Sequence, residues 1–201
     1  MGMLTALSVP LMILNVLGGI VSGIWLAVLR DWHAVWLGIV FFFVSSLILG
    51  FALMPSILLA APAAYFAERG KTIGLVFFGG LSSLYTLALI TVWCCGVLVL
   101  FVKDATHATI IPRLIWSYGV AIGPLTYMAS KDQGEGTEGF GSNLATFLAE
   151  LAYFIVMLSV IFLPISLLGV VKVFGSFMLV GLVIQTIVAV YIQREQSRLA
   201  R

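Results

Sequence analysis

The chain has 201 residues, of which 62% are hydrophobic and only 9% charged, with a net charge of +2. Soluble domains carry about 25% charged residues, so there is too little polar surface to clothe a water-soluble fold. There is also no basic surface of the kind nucleic acid requires. A transmembrane β-barrel is excluded by runs such as residues 39–43 and 97–102, which do not alternate apolar and polar side chains. The composition reads as all-α: a polytopic integral membrane bundle, one transmembrane domain over residues 1–201.

Six apolar stretches are long enough to be candidate spans, which need about 20 residues each. The first covers residues 9–29. No Lys or Arg precedes it and it is longer than the core of a cleaved signal, so it reads as a retained span. Asn15, Gly18, Gly19, Ser22 and Gly23 recur at helical spacing on one face. Small residues allow close helix approach in lipid, and Gly19 and Gly23 make a GxxxG match. Trp25, Trp32 and Trp36 cluster around Arg30 and Asp31 and mark one membrane face.

The second span covers residues 34–54. Pro55 and Pro62 follow and predict a kink or break, with residues 56–67 either prolonging a tilted helix or lying in the interface, because proline removes a helix hydrogen bond. Glu68, Arg69, Gly70 and Lys71 form a charged turn, with Arg69 and Lys71 as headgroup and topology markers. The third span, residues 72–102, is too long for one perpendicular crossing. Gly79, Ser82, Ser83 and Thr86 share a face that reads as helix contact. Cys94 and Cys95 are adjacent, which suits neither a mutual disulfide nor a metal site.

The fourth stretch, residues 109–129, is the weakest. It contains Pro112, Arg113, Gly119, Gly123 and Pro124, so it either spans or re-enters, which leaves five spans instead of six. Gly119 and Gly123 are expected to pack helices, and Arg113 to snorkel to the headgroups. Residues 131–143 are Gly-rich and polar and read as a flexible loop. The fifth span, 144–163, holds Glu150, the acid placed inside an apolar run. An ionised acid at mid-helix costs about 2.5–3.5 kcal/mol on insertion scales, so Glu150 is paired, protonated or facing water. Arg113 should lie too far from it in depth to be its direct partner. The sixth span covers 174–192 after a short connection at 165–172, and Gln185 is its amide. Residues 193–201 form a basic tail with Arg194, Arg198 and Arg201 spaced for one helical face.

No Walker loop, dinucleotide fingerprint, nucleophile elbow or Cys-x-x-Cys motif occurs, and the two histidines, His33 and His107, fall at turns. No enzyme activity, metal or cofactor is expected. The expected partners are the bilayer itself and either further copies of the chain or another subunit of a membrane complex. Asn15, Arg113, Glu150 and Gln185 form the candidate polar site of a small channel or transporter. The alternative is a non-catalytic subunit, scaffold or sensor. The excess of positive charge on the side of both termini predicts a cytoplasmic C-terminus in a cell (inner or plasma) membrane.

Overall fold

A computed structural model describes the backbone of residues 2–131, 137–163 and 166–199, with side chains at 10, 13–128, 144–163 and 166–198. Among the described residues there are six helices and no strand: α1 (Gly2–Val28), α2 (Trp32–Glu68), α3 (Thr72–Val102), α4 (Ile110–Lys131), α5 (Thr137–Phe162) and α6 (Leu167–Leu199). Hydropathy and length qualify Trp32–Glu68, Thr72–Val102, Leu144–Phe162 and Leu167–Arg198 as membrane spans. At 1.5 Å per residue α2 is about 55 Å long and α6 about 50 Å, well beyond a hydrocarbon core of about 30 Å. Both must tilt or project.

Two tight turns set the antiparallel course of the first three helices. Asp31 N donates to Leu26 O at 2.9 Å and Arg30 N to Ala27 O at 3.0 Å, with Arg30 at φ 60°. Lys71 N to Phe66 O and Gly70 N to Ala67 O repeat the arrangement, with Gly70 at φ 65°. These are Schellman closures, which need a left-handed residue and favour glycine. Arg30 occupies that position at a cost of about 1–2 kcal/mol. Arg30→Gly is therefore expected to stabilise the protein, by at most about 1 kcal/mol after glycine's greater unfolded freedom is subtracted. A lowered unfolding midpoint in detergent would contradict this.

Helix α2 runs through Pro55 and Pro62 to Glu68 without a break, so of the two expectations for residues 56–67 it is the prolonged helix that holds. Each proline leaves the carbonyl four residues earlier, Phe51 O or Leu58 O, without its usual donor, and the neighbouring carbonyls of this stretch are reached from outside the helix. Helix α3 presents hydroxyls to this stretch. Tyr85 Oη donates to Ala52 O at 2.8 Å and Ser82 Oγ to Ser56 O at 2.9 Å. Ser56 Oγ lies 3.0 Å from Ser82 Oγ and 2.6 Å from Thr86 Oγ1. Ser82 and Thr86 make these bonds, while Ser83 is only half-buried. Gly79 packs on Ala63, and the rings of Phe66 and Phe78 stack with centroids 5.7 Å apart.

The weakest stretch by composition is the centre of the bundle. Helix α4 is one continuous helix in contact with α1, α2, α3 and α5. Between Ile110 and Met128 only Ile111 and Tyr127 are exposed. Protein rather than lipid covers α4, so it needs fewer apolar residues than an outer helix. An unbroken helix of 22 residues carries its two ends about 33 Å apart, which a re-entrant loop does not. Lipid-facing surface lies elsewhere: Phe43, Leu58 and Ile187 are 71%, 74% and 62% exposed. Trp25, Trp32 and Trp36 also face outward at the Arg30 end.

Three boundaries differ from the sequence reading. Lys131 ends α4 and residues 137–143 open α5, so helix replaces most of the expected loop; residues 132–136 lie outside the described residues. Helix α6 begins at Leu167, inside the expected connection at 165–172. It continues to Leu199, which makes the expected tail at 193–201 the end of a helix, with Arg201 outside the described residues.

Candidate intramembrane polar site

The small-residue face of α1 meets α4 as its spacing predicts. Cβ atoms at Gly18 and Gly23 would touch Ile115 and Trp116 at 3.5 and 3.4 Å, and one at Gly19 would touch Trp116 at 3.8 Å. Ser22 is buried and donates to Gly19 O at 3.0 Å. Across the contact, Gly119 leaves room for Asn15 Oδ1, and Gly123 receives the ring of Phe42 from α2. Trp116 closes the group by donating Nε1–H to Ala34 O at 3.0 Å.

Three rungs of polar side chains climb the inner side of α4. The first is Arg113, whose Nε donates to Asp31 Oδ2 at 2.6 Å and Nη2 to Asp31 Oδ1 at 3.0 Å. Its Nη1 donates to Phe101 O at 3.3 Å. Both side chains of the pair are only 10% exposed. Asp31 also accepts from Ala34 N at 3.3 Å and so caps α2. One guanidinium thus ties the α1–α2 turn, the last turn of α3 and the first turn of α4. The expected snorkelling does not occur, because an acid at the same end of the bundle satisfies the charge internally.

One turn further along α4, Ser117 donates to Leu114 O at 2.8 Å. Its single proton is then used, so the 2.6 Å contact with Tyr153 is a Tyr153 O–H donating to Ser117 Oγ. The Tyr153 ring sits edge-on between Tyr118 and Phe174, with centroids at 5.6 and 6.0 Å. Cys94 and Cys95, both buried free thiols, belong to the same core.

The third rung is Glu150, 4% exposed and one turn before Tyr153 on α5. Because α5 begins at Thr137, Glu150 stands at the middle of its helix rather than near one end. The Ser117–Tyr153 bond sets the relative height of α4 and α5 and puts Glu150 level with about residue 120. Tyr118 lies within its electrostatic reach. Among the described residues no ion pair or hydrogen bond holds the Glu150 carboxyl. Arg113 is some seven residues, about 10 Å, further along the axis, consistent with the expected mismatch in depth.

The four sequence candidates therefore separate. Asn15, 7% exposed, sits at Gly119, near the height of Glu150 but toward α1. Arg113 is occupied at one end. Gln185 is half-buried on α6. It lies one turn beyond Gly181, which takes the Leu148 side chain, so it is about 9 Å from the Glu150 level. Asp31, Ser117 and Tyr118 are members of the polar row that sequence reasoning did not assign. Asp31 had one available signal: a six-helix course puts it at the same end as Arg113. At the opposite end, Arg69 stacks over the Tyr65 ring at 4.2 Å, Arg198 pairs with Glu195 at 3.0 Å, and Lys71 is the N-cap residue of α3.

The fold and its lipid-facing helices define a multi-pass α-helical membrane protein. No family model, curated protein or solved structure matches this chain.

Proposed function

We propose that the chain is a small membrane transport protein for a proton or small cation, with Glu150 as the binding carboxyl. The observation that carries this reading is an acid buried at mid-helix with no cation paired to it among the described residues. Intramembrane acids are costly, and ion and proton pathways are where they recur. Tyr153 and Ser117 extend the polar row from Glu150 toward the Arg113–Asp31 end, and Asn15 faces the same height from α1. The reading involves no catalysis and no cofactor.

Orientation follows from charge. Arg30, Lys103, Arg113 and Lys172 are the cations of one end. Arg69, Lys71, Lys131, Arg194 and Arg198 stand at the other, a modest excess that the positive-inside rule assigns to the cytoplasm of a cell membrane. Glu150→Gln keeps the volume of the side chain and removes the charge. In proteoliposomes it is expected to reduce flux of the proton or cation to that of empty vesicles while leaving the helical circular dichroism unchanged. Undiminished flux would reject Glu150 as the site.

A second reading, a non-catalytic subunit or scaffold, is favoured by the thin cover of α2. Only 17% of its most apolar window is buried, and Phe43, Phe51 and Leu58 form part of an open apolar face. Recovery of the protein from native membranes in mild detergent as a lone, monodisperse monomer would count against it.

A further inference from the structure

At the end of the bundle opposite Asp31, the start of α3 meets the last turns of α6. The α3 N-cap is Lys71, and no side chain caps the helix. Lys71 N is satisfied by Phe66 O, and Lys71 O receives Leu75 N. The amides of Thr72, Ile73 and Gly74 are the unanswered donors of this helix end. Helix α6 lays Gln193 beside them. Gln193 is 6% exposed, and neither its Nε2 nor its Oε1 has a hydrogen-bond partner among the described residues. A buried, unsatisfied amide costs about 1–3 kcal/mol. Gln193 lines a cavity of about 250 Å³ together with Thr72, Arg194, Ser197 and Arg198. A second, apolar hollow of about 580 Å³, lined by Phe66 and Ile73 among others, shares Thr72 with it.

We propose that this cavity binds a phosphate group, carried by an anionic lipid headgroup or arriving as the free ion. The N-terminus of α3 supplies a positive dipole end and free amides, the usual cradle for a phosphate. Gln193 Nε2 adds a desolvated donor, and Arg194, with no ion-pair partner among the described residues, adds full charge. Arg198 is partly committed to Glu195, and the Ser197 hydroxyl donates to Gln193 O at 2.9 Å, so these two frame the cavity more than they charge it. For a lipid, the adjoining hollow at Phe66 and Ile73 receives the first part of an acyl chain. This site stands apart from Glu150 and does not depend on the transport reading.

The test uses the full chain in a zwitterionic detergent, titrated with dioctanoyl phosphatidylglycerol, dioctanoyl phosphatidylcholine and inorganic phosphate, with binding read by calorimetry. Phosphatidylglycerol is expected to bind about tenfold more tightly than phosphatidylcholine. Arg194→Gln and Gln193→Glu are each expected to weaken phosphatidylglycerol by about tenfold, and to weaken phosphatidylcholine, whose choline offsets the charge of the same phosphate, by less. Inorganic phosphate that displaces phosphatidylglycerol at similar concentration identifies the free ion as a ligand; phosphatidylglycerol that phosphate fails to displace identifies the lipid. Equal binding of both probes by wild type and Arg194→Gln, an exposed position whose substitution leaves the core intact, would overturn the proposal.

Discussion

Replacing Arg113 with methionine is expected to destabilise the protein by about 3–5 kcal/mol, the usual consequence of leaving one member of a buried pair unmatched. Methionine preserves most of the aliphatic volume. It leaves the Asp31 carboxylate and Phe101 O without the donors that now reach them at 2.6 to 3.3 Å. Asp31→Asn should be damaging in the same way, since it strands the guanidinium, although asparagine still caps α2. The double variant should recover much of the loss, because the stranded charge is gone in it. The cycle is measured by unfolding in mixed micelles. Single losses below about 1 kcal/mol are typical of exposed ion pairs and would show that water, not protein, surrounds this one.

The second large effect is steric. A Cβ at Gly38 would overlap the indole of Trp116, whose Nε1 lies on Ala34 O and whose ring covers Gly19 and Gly23. Either the indole or α2 must move. Overpacking of this kind costs about 1–3 kcal/mol, and losing the indole hydrogen bond adds about 1 kcal/mol or more. Gly38→Ala is therefore expected to cost about 2–4 kcal/mol and to weaken α2–α4 and α1–α4 packing together. Gly96, also inside a helix, has nothing within 4 Å of its Cβ position. Gly96→Ala should stabilise by up to about 1 kcal/mol. Gly181→Ala falls between, since the obstacle there is the movable end of Leu148. If Trp116 sets the penalty, Gly38→Ala will cost much less in a Trp116→Phe background. Equal costs in both backgrounds would assign it to something else.

Most of the helical frame was legible because lipid imposes a simple rule: long apolar runs fold as helices that satisfy their own backbone. The α1 small-residue face was legible for a related reason, since Gly18, Gly19 and Gly23 at helical spacing have few uses in lipid besides close packing. Helix ends were less legible. Residues 137–143 contain glycine, serine and asparagine, which favour loops in water, yet they form the first turns of α5. That error moved Glu150 from the middle of its helix toward one end. Pro55 and Pro62 left open whether residues 56–67 prolong the helix, and the hydroxyls that bond this stretch of α2 belong to α3, some 26 to 33 residues away.

The polar site was legible in parts. Arg113 and Glu150 stood out as charges near or within apolar runs, and their mismatch in depth followed from helix rise alone. Asp31 did not stand out, because an acid beside an arginine at a turn looks solvated. Its bond to Arg113 spans 82 positions of sequence and depends on where α4 sits among its neighbours. Gln193 was hidden inside a stretch that read as a basic tail. Only the return of α6 past the start of α3 reveals that it is buried.

The account stands or falls on which faces meet lipid, and collision measurements on spin labels report this directly. In a Cys94→Ala/Cys95→Ala background, labels at Leu58→Cys on α2 and Val180→Cys on α6 occupy positions that are 74% and 54% exposed. In bilayers both labels are predicted to collide freely with molecular oxygen and scarcely at all with a water-soluble nickel chelate. Frequent collision with the nickel chelate at both sites would place these faces in water and contradict the membrane-embedded bundle.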